Sequence, residues 1–180
     1  MADFTAKYYD SLIIKLKSAE YHYNKVNSLH ACSIMNDEKV YTAFISEFIA
    51  TMQTLHTCFD VLAQWLNSNQ SIIPEEKRLS LKNVNFNNVV GKIRDPLLKD
   101  KLTKLKESSI YLNDFVNTIK HRHIIRVDNE FYFLSASQIV EIIVIDAFEK
   151  NGRCYKKVDL LCTLKKIYNE VTTTIEEIIA

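Results

Sequence analysis

Glycine and proline are almost missing from this chain, with two of each among 180 residues. Both residues punctuate turns, so a chain with so few must run mostly in long uninterrupted elements. The same shortage excludes whole classes of site. Gly91 and Gly152 are the only glycines, which leaves no P-loop, no dinucleotide-binding turn and no Gly-x-Ser-x-Gly elbow, and no His-Glu-x-x-His pair occurs either. Charge of one sign is also lacking. The 23 Lys and Arg residues are balanced by 22 Asp and Glu residues, a formal net charge of +1. No whole-molecule field therefore draws the protein to nucleic acid or membrane, and any such binding must come from a local patch.

No segment offers the roughly 18 uncharged apolar residues that a membrane span needs, and Met1 to Asp10 has no basic stretch followed by an apolar run. A cytoplasmic protein that does not enter the membrane is expected. Cys32, Cys58, Cys154 and Cys162 contain no C-x-x-C pair, and three of them lie inside apolar periodic stretches, so buried free thiols are expected.

What the chain does have is apolar periodicity. Its length and 47% hydrophobic content suit one core and a single domain over residues 1–180. Phe4, Tyr8, Leu12, Leu16, Ala19, Tyr23 and Val26 keep the three-and-four spacing of one helical stripe. Met35 to Glu38 breaks it, with Asn36 or Asp37 as N-cap, and Val40, Phe44, Phe48, Met52, Leu55, Phe59, Leu62 and Leu66 then carry a long second helix. Asn67 to Gln70 mark its end. The polar connector that follows predicts a short helical piece around Phe86 to Ile93.

Pro96 suits the first position of another helix, whose stripe of Leu98, Leu102, Leu105, Leu112, Val116 and Ile119 runs to about His123, with a bend at Ser108 and Ser109. Beyond it, His123 to Val127 and Glu130 to Leu134 are β-branched and aromatic and are split by Asp128-Asn129, which predicts a hairpin. Ser135-x-x-Gln138 resembles a capping box, but the β-branched run after it and Asn151-Gly152 beyond favour strand and turn over Ile139 to Phe148. From about Asp159 the stripe Leu160, Leu164, Ile167, Val171, Ile175 and Ile178 is helical again. The expected fold is mainly α, with a small β-hairpin or meander at about 124–157.

The densest polar group ends the helix that carries Leu112 and Val116. Asn113, Asn117 and His121 stand four apart on one face, and Lys120, Arg122, His123 and Arg126 crowd the same terminus. An imidazole exchanges protons near neutral pH, amides orient a ribose or phosphate, and cations hold a phosphodiester, so an RNA or nucleotide phosphate site is one reading. Cations that merely complement exposed helix-end carbonyls on a solvated boundary are the other. In the second helix His56, Asp60 and Gln64 repeat every four residues. A carboxylate four residues from an imidazole can orient it, either for the same site or as a structural pair on the core boundary. Their spacing matches no known ligand set, so no metal is expected. Lys92 to Lys106 holds six basic residues against Asp95 and Asp100, either an RNA-facing strip or the wet side of an amphipathic helix.

The string Asn117-Thr118-Ile119-Lys120-His121 resembles the Arg-Asn-x-x-x-His signature of HEPN domains. Asn117 and His121 keep its spacing, and Val116 stands where the family has arginine. The Phe44 to Leu66 segment, with Phe59-Asp60-Val61-Leu62 at its centre, is similar in style to a helix of bacterial HEPN-like proteins. The resemblance implies an antiparallel helical bundle that pairs as a homodimer, needs no cofactor, and binds RNA, a nucleotide or a protein partner encoded nearby. Lacking the arginine, the chain is expected to be a non-catalytic or degenerate member. The alternative is a metal-independent ribonuclease of a toxin–antitoxin or phage-defence system. In that case His121 would move the proton of a ribose hydroxyl or leaving group, Asn117 would orient, and Lys120 and Arg122 would hold phosphate.

Overall fold

The computed structural model describes residues 4–31, 37–121, 127–135 and 138–180, of which 121, 129, 131–135 and 138–141 are described in backbone only. Apolar spacing writes the first two helices, α1 (Phe4–His30) and α2 (Glu38–Ser68). Asp37 caps α2 by accepting the Lys39 N–H, as its position before the periodic stretch predicts. Phe44, Phe48, Met52, Leu55, Phe59, Leu62 and Leu66 are all buried along one side of α2. The two helices run antiparallel: Thr5 at the start of α1 bonds the Ser68 carbonyl at the end of α2, and His22 meets Glu47 at 2.6 Å further along.

The connector carries two short 3-10 turns and then the predicted small helix, α3 (Phe86–Val90), capped by Asn85. Pro96 opens α4 (Pro96–Lys104) with Asp95 as its N-cap, and α5 (Lys106–His121) follows. The break between them falls at Leu105, not at Ser108 and Ser109. Both serines are buried inside α5, and Ser108 reaches Glu170 of α6 (Leu160–Ile179) at 3.1 Å. A serine bonded to a neighbouring helix has no need to bend its own.

The expected hairpin through Asp128-Asn129 does not form. Val127–Ser135 is one continuous strand, β1, and its antiparallel partner is β2 (Gln138–Ile145), with Val127 opposite Ile145. Pairing with a complete second strand satisfies the backbone of Asp128 and Asn129, so turn propensity loses to ladder bonds. His123 to Arg126 of the expected first arm lie outside the described residues. The strand reading of Ile139 onward holds as far as Ile145. A second hairpin joins β3 (Phe148–Lys150) to β4 (Arg153–Tyr155), and β5 (Val158–Asp159) pairs with β2. Its turn is Asn151-Gly152, with φ of 53° and 74°, the doubly left-handed backbone that a two-residue hairpin loop of type I′ requires.

Helices α5 and α6 pack on α2, so one cluster of buried residues runs through all the larger helices and into β2 and β3. The thiols depart from expectation: Cys58 is buried, which pushes its pKa up to about 12, but Cys154 and Cys162 are exposed, and Cys32 lies outside the described residues. Cys154 sits on a two-stranded ribbon and Cys162 on the outer side of α6, where apolar neighbours in sequence do not mean apolar neighbours in space.

Phe48 is fully buried and meets Phe115 of α5 edge-on at 5.6 Å. Phe48→Ala is expected to cost about 3–5 kcal/mol of unfolding free energy in a denaturant titration. Leu97→Ala, at a site 78% exposed, is expected to change it by less than about 0.5 kcal/mol.

Candidate functional site

Helix α5 is amphipathic, and the one charged residue on its buried side organises the site. Asp114 is a carboxylate 0% exposed, next to the buried Phe115 and Val116. A buried charge is tolerated only when it is paired and hydrogen-bonded. Its Oδ2 accepts from Arg153 Nη1 at 2.6 Å and from the Tyr155 hydroxyl at 2.7 Å. Its Oδ1 accepts from Asn151 Nδ2 at 3.2 Å and more weakly from Asn113 Nδ2 at 3.4 Å. Three of these donors come from the β3–β4 hairpin, so the turn at Asn151-Gly152 exists where a buried carboxylate needs it. The contact lifts the pKa of Tyr155 up to about 12, through burial first and the Asp114 carboxylate second, while Arg153 pulls in the opposite direction. Tyr111 lies edge-on to Tyr155 at 5.3 Å, and its own pKa is raised chiefly by burial.

One cleft of about 360 Å³ opens beside this network. Helix α2 contributes His56 and Asp60, the start of α3 contributes Asn85 and Asn87, α5 contributes Ser109 and Asn113, and the hairpin contributes Asn151 and Arg153. Phe59 and Phe86, stacked edge-on at 4.8 Å, are its buried apolar side. The arrangement offers an imidazole, a carboxylate, a half-exposed guanidinium and four side-chain amides within one concavity. Amides and carboxylates match the donor and acceptor edges of bases and ribose hydroxyls, and a guanidinium matches a phosphate oxygen.

The structure brings together His56, Asp60 and Asn113 of the residues singled out in the sequence. His56 is half-buried and Asp60 exposed, and among the described residues no hydrogen bond joins them. Asn117 does not line the cleft but donates to Asn113 Oδ1 at 2.9 Å from one turn further along α5. Lys120 is exposed. His121 ends α5, and its side chain lies outside the described residues, as do Arg122, His123 and Arg126 entirely. Gln64, third in the α2 stripe, faces a different groove with Asn67 and Arg78. The basic strip is partly neutralised: Lys101 pairs with Glu177 at 3.0 Å and Lys104 with Asp100 at 2.8 Å.

Val116, at the position of the motif arginine, is 1% exposed and belongs to the core. Asp114, Arg153 and Tyr155 went unread in the sequence, and Asn151 was read only as part of a turn. A signal for the first was present, since a lone carboxylate between Leu112 and Phe115-Val116 breaks the apolar face of α5. Among the described residues no group of three or more His, Cys, Asp or Glu side chains is placed to hold a metal ion, and no helix is long and apolar enough to cross a membrane. No family model, curated protein or solved structure matches the chain.

The raised Tyr155 pKa has a direct consequence for stability at high pH. An ordinary phenol ionises near pH 10, so the stabilisation from keeping Tyr155 neutral is complete below about pH 10 and is lost as pH rises towards about 12. Tyr155→Phe is expected to flatten this decline in pH-dependent denaturation. Asp114→Asn is expected to lower the Tyr155 midpoint in an ultraviolet phenolate titration, where an unchanged midpoint would remove the carboxylate as its cause.

Proposed function

We propose that this chain is a non-catalytic, HEPN-like module that binds RNA or a nucleotide in the cleft between α2, α5 and the β3–β4 hairpin. The observation that carries the reading is the convergence of His56, Asp60, Asn113, Asn151 and Arg153, drawn from three separate elements, on one concavity of about 360 Å³. That volume is within the range of small-ligand sites, on the order of 300–1,000 Å³. It suits one nucleoside or one flipped-out nucleotide of an RNA strand. Amide side chains and Asp60 meet the base edge and ribose, and Arg153, fixed by Asp114, meets a phosphate oxygen.

Two features support binding over cleavage. Val116 stands in place of the motif arginine, and its burial denies that position to any side chain that must reach solvent. The guanidinium that the cleft does offer is already engaged by a buried carboxylate, which positions it for recognition and reduces its capacity to stabilise new charge in a transition state. The near-neutral formal charge agrees with a ligand recognised locally rather than by long-range attraction. The reading carries with it a cytoplasmic location, where RNA and nucleotides are found. Self-association belongs to the same proposal. Ile14 and Tyr21, 65% and 57% exposed, stand seven residues apart on one side of α1 and offer apolar surface to a second copy.

The test is to incubate the protein with mixed labelled RNAs in the presence of chelator, measuring binding and cleavage on the same samples. Retention without cleavage is expected, with Asn113→Ala and Asn87→Ala each weakening retention by roughly three- to tenfold, the worth of one hydrogen bond. If the wild type cuts and a folded His121→Ala variant does not, the ribonuclease reading takes its place. Absence of both binding and cleavage, with nucleotides tested as well, removes the RNA or nucleotide reading. For self-association, elution volume is expected to move with concentration across the micromolar range and to stop moving in an Ile14→Glu variant. A strictly monomeric profile contradicts it.

A further inference from the structure

A second, larger groove of about 740 Å³ lies at the far end of α2 and belongs to no part of the cleft described above. Its walls are the first turns of α1, the last turn of α2 and the 3-10 segment that carries Arg78, Leu79 and Leu81. The apolar lining is unusually accessible: Phe4 is 57% and Leu81 75% exposed, with Tyr8 and Leu79 half-buried beside them. Large apolar side chains held open around a concavity of this size are the ordinary lining of a site for an apolar ligand.

The groove is held in shape by specific bonds. Asn67, 7% exposed, clamps the backbone of Leu79 twice, donating Nδ2 to its carbonyl at 3.0 Å and accepting its N–H at 2.9 Å. This clamp sets the neighbouring Arg78 against the end of α2, where Nη2 donates to the Ser68 carbonyl at 2.8 Å. One carbonyl at a helix C-terminus explains that nitrogen and offsets part of the charge. Nε is closed to solvent and, among the described residues, has no hydrogen-bond partner, so a single neutral carbonyl is all that meets the charge. Among the described residues no carboxylate stands within ion-pair distance of this guanidinium, and Glu75 and Glu76 on the same segment are exposed. The half-buried Arg78 side chain therefore lines the groove with its charge uncompensated by any of these side chains, and the partner a guanidinium suits best is a carboxylate.

We infer that this groove is a binding site for an apolar carboxylic acid, of the size of a medium-chain fatty acid, whose carboxylate is taken by Arg78 and whose tail lies along Phe4, Tyr8, Leu79 and Leu81. Arginine beside an apolar wall discriminates on both parts of such a ligand. The tail alone leaves the Arg78 guanidinium without a counterion, and a short anion leaves the apolar wall wet.

The experiment is calorimetric titration of the full chain with octanoate, beside 1-octanol, which keeps the tail and drops the charge, and acetate, which keeps the charge and drops the tail. Octanoate is expected to bind, octanol to bind at least about tenfold more weakly, and acetate not to bind measurably, since a charge-assisted contact is worth about a factor of ten or more. Arg78→Gln is expected to bring octanoate down to the level of octanol. Leu81→Glu alters an exposed position with little packing to lose, so it reads the same site even if Arg78→Gln fails to fold, and it is expected to abolish octanoate binding. Equal affinity for octanoate and octanol, no octanoate binding up to millimolar concentration, or unchanged binding in Leu81→Glu each overturns the proposal. None of these outcomes bears on RNA retention in the other cleft, so the two proposals stand or fall separately.

Discussion

A carboxylate in an apolar helix face needs donors, and the C-terminal half of this molecule is arranged around meeting that need. Asp114 is fully buried, and α5 itself supplies only the weak Asn113 contact. The strong donors, Arg153 and Tyr155, and the amide of Asn151 reach it from a hairpin some forty residues later in the chain. Without that carboxylate the hairpin would dock on α5 through aromatic contacts, Phe148 and Tyr155 edge-on to Tyr111 at 6.0 and 5.3 Å and Phe148 edge-on to Phe115 at 6.0 Å. Apolar contact is tolerant of sliding, whereas two oxygens that receive four directed bonds set one position. Because Asn151 and Arg153 reach the cleft only through that docking, the carboxylate also builds one wall of the cleft.

Helix α2 is the other organising element, and its C-terminal half serves two concavities. Its apolar stripe is the spine of the core, and its polar residues at four-residue intervals diverge between two concavities. His56 and Asp60 face the amide-rich cleft beside α5, while Gln64, Asn67 and Ser68 face the apolar groove beside the start of α1. His56 to Ser68 spans roughly 18 Å at 1.5 Å per residue, long enough for one helix to line two separate concavities. The scarcity of glycine and proline makes such a helix available, because nothing inside it invites a break.

Periodic signals were legible wherever a single stripe runs for several turns. The stripes of α1, α2 and α6, the Asp37 cap and the Pro96 start all follow from residue spacing and the needs of helix ends. The misreadings share one cause, which is that local preference was overruled by a partner distant in sequence. Asp128-Asn129 has turn chemistry but sits in a strand because β2 pairs along its whole length. Ser108 and Ser109 look like a helix break but are buried, with Ser108 turned toward Glu170. Cys154 and Cys162 have apolar sequence neighbours yet face outward.

Of the candidate site, the sequence by itself determined its local pieces: two polar stripes at helical spacing, a valine where the Arg-Asn-x-x-x-His pattern has arginine, and an Asn-Gly turn. These are properties of residue type and of the 3.6 and 2 residue periods, which need no knowledge of the rest of the fold. Only the tertiary structure decided that His56 and Asp60 share a cleft with Asn113, that Gln64 does not, and that Val116 is sealed in the core. It alone decided that Arg153 and Tyr155 belong to Asp114. Those pairings join residues that are far apart in the chain, and they follow from the cost of leaving a buried charge unmet, which no window of sequence records.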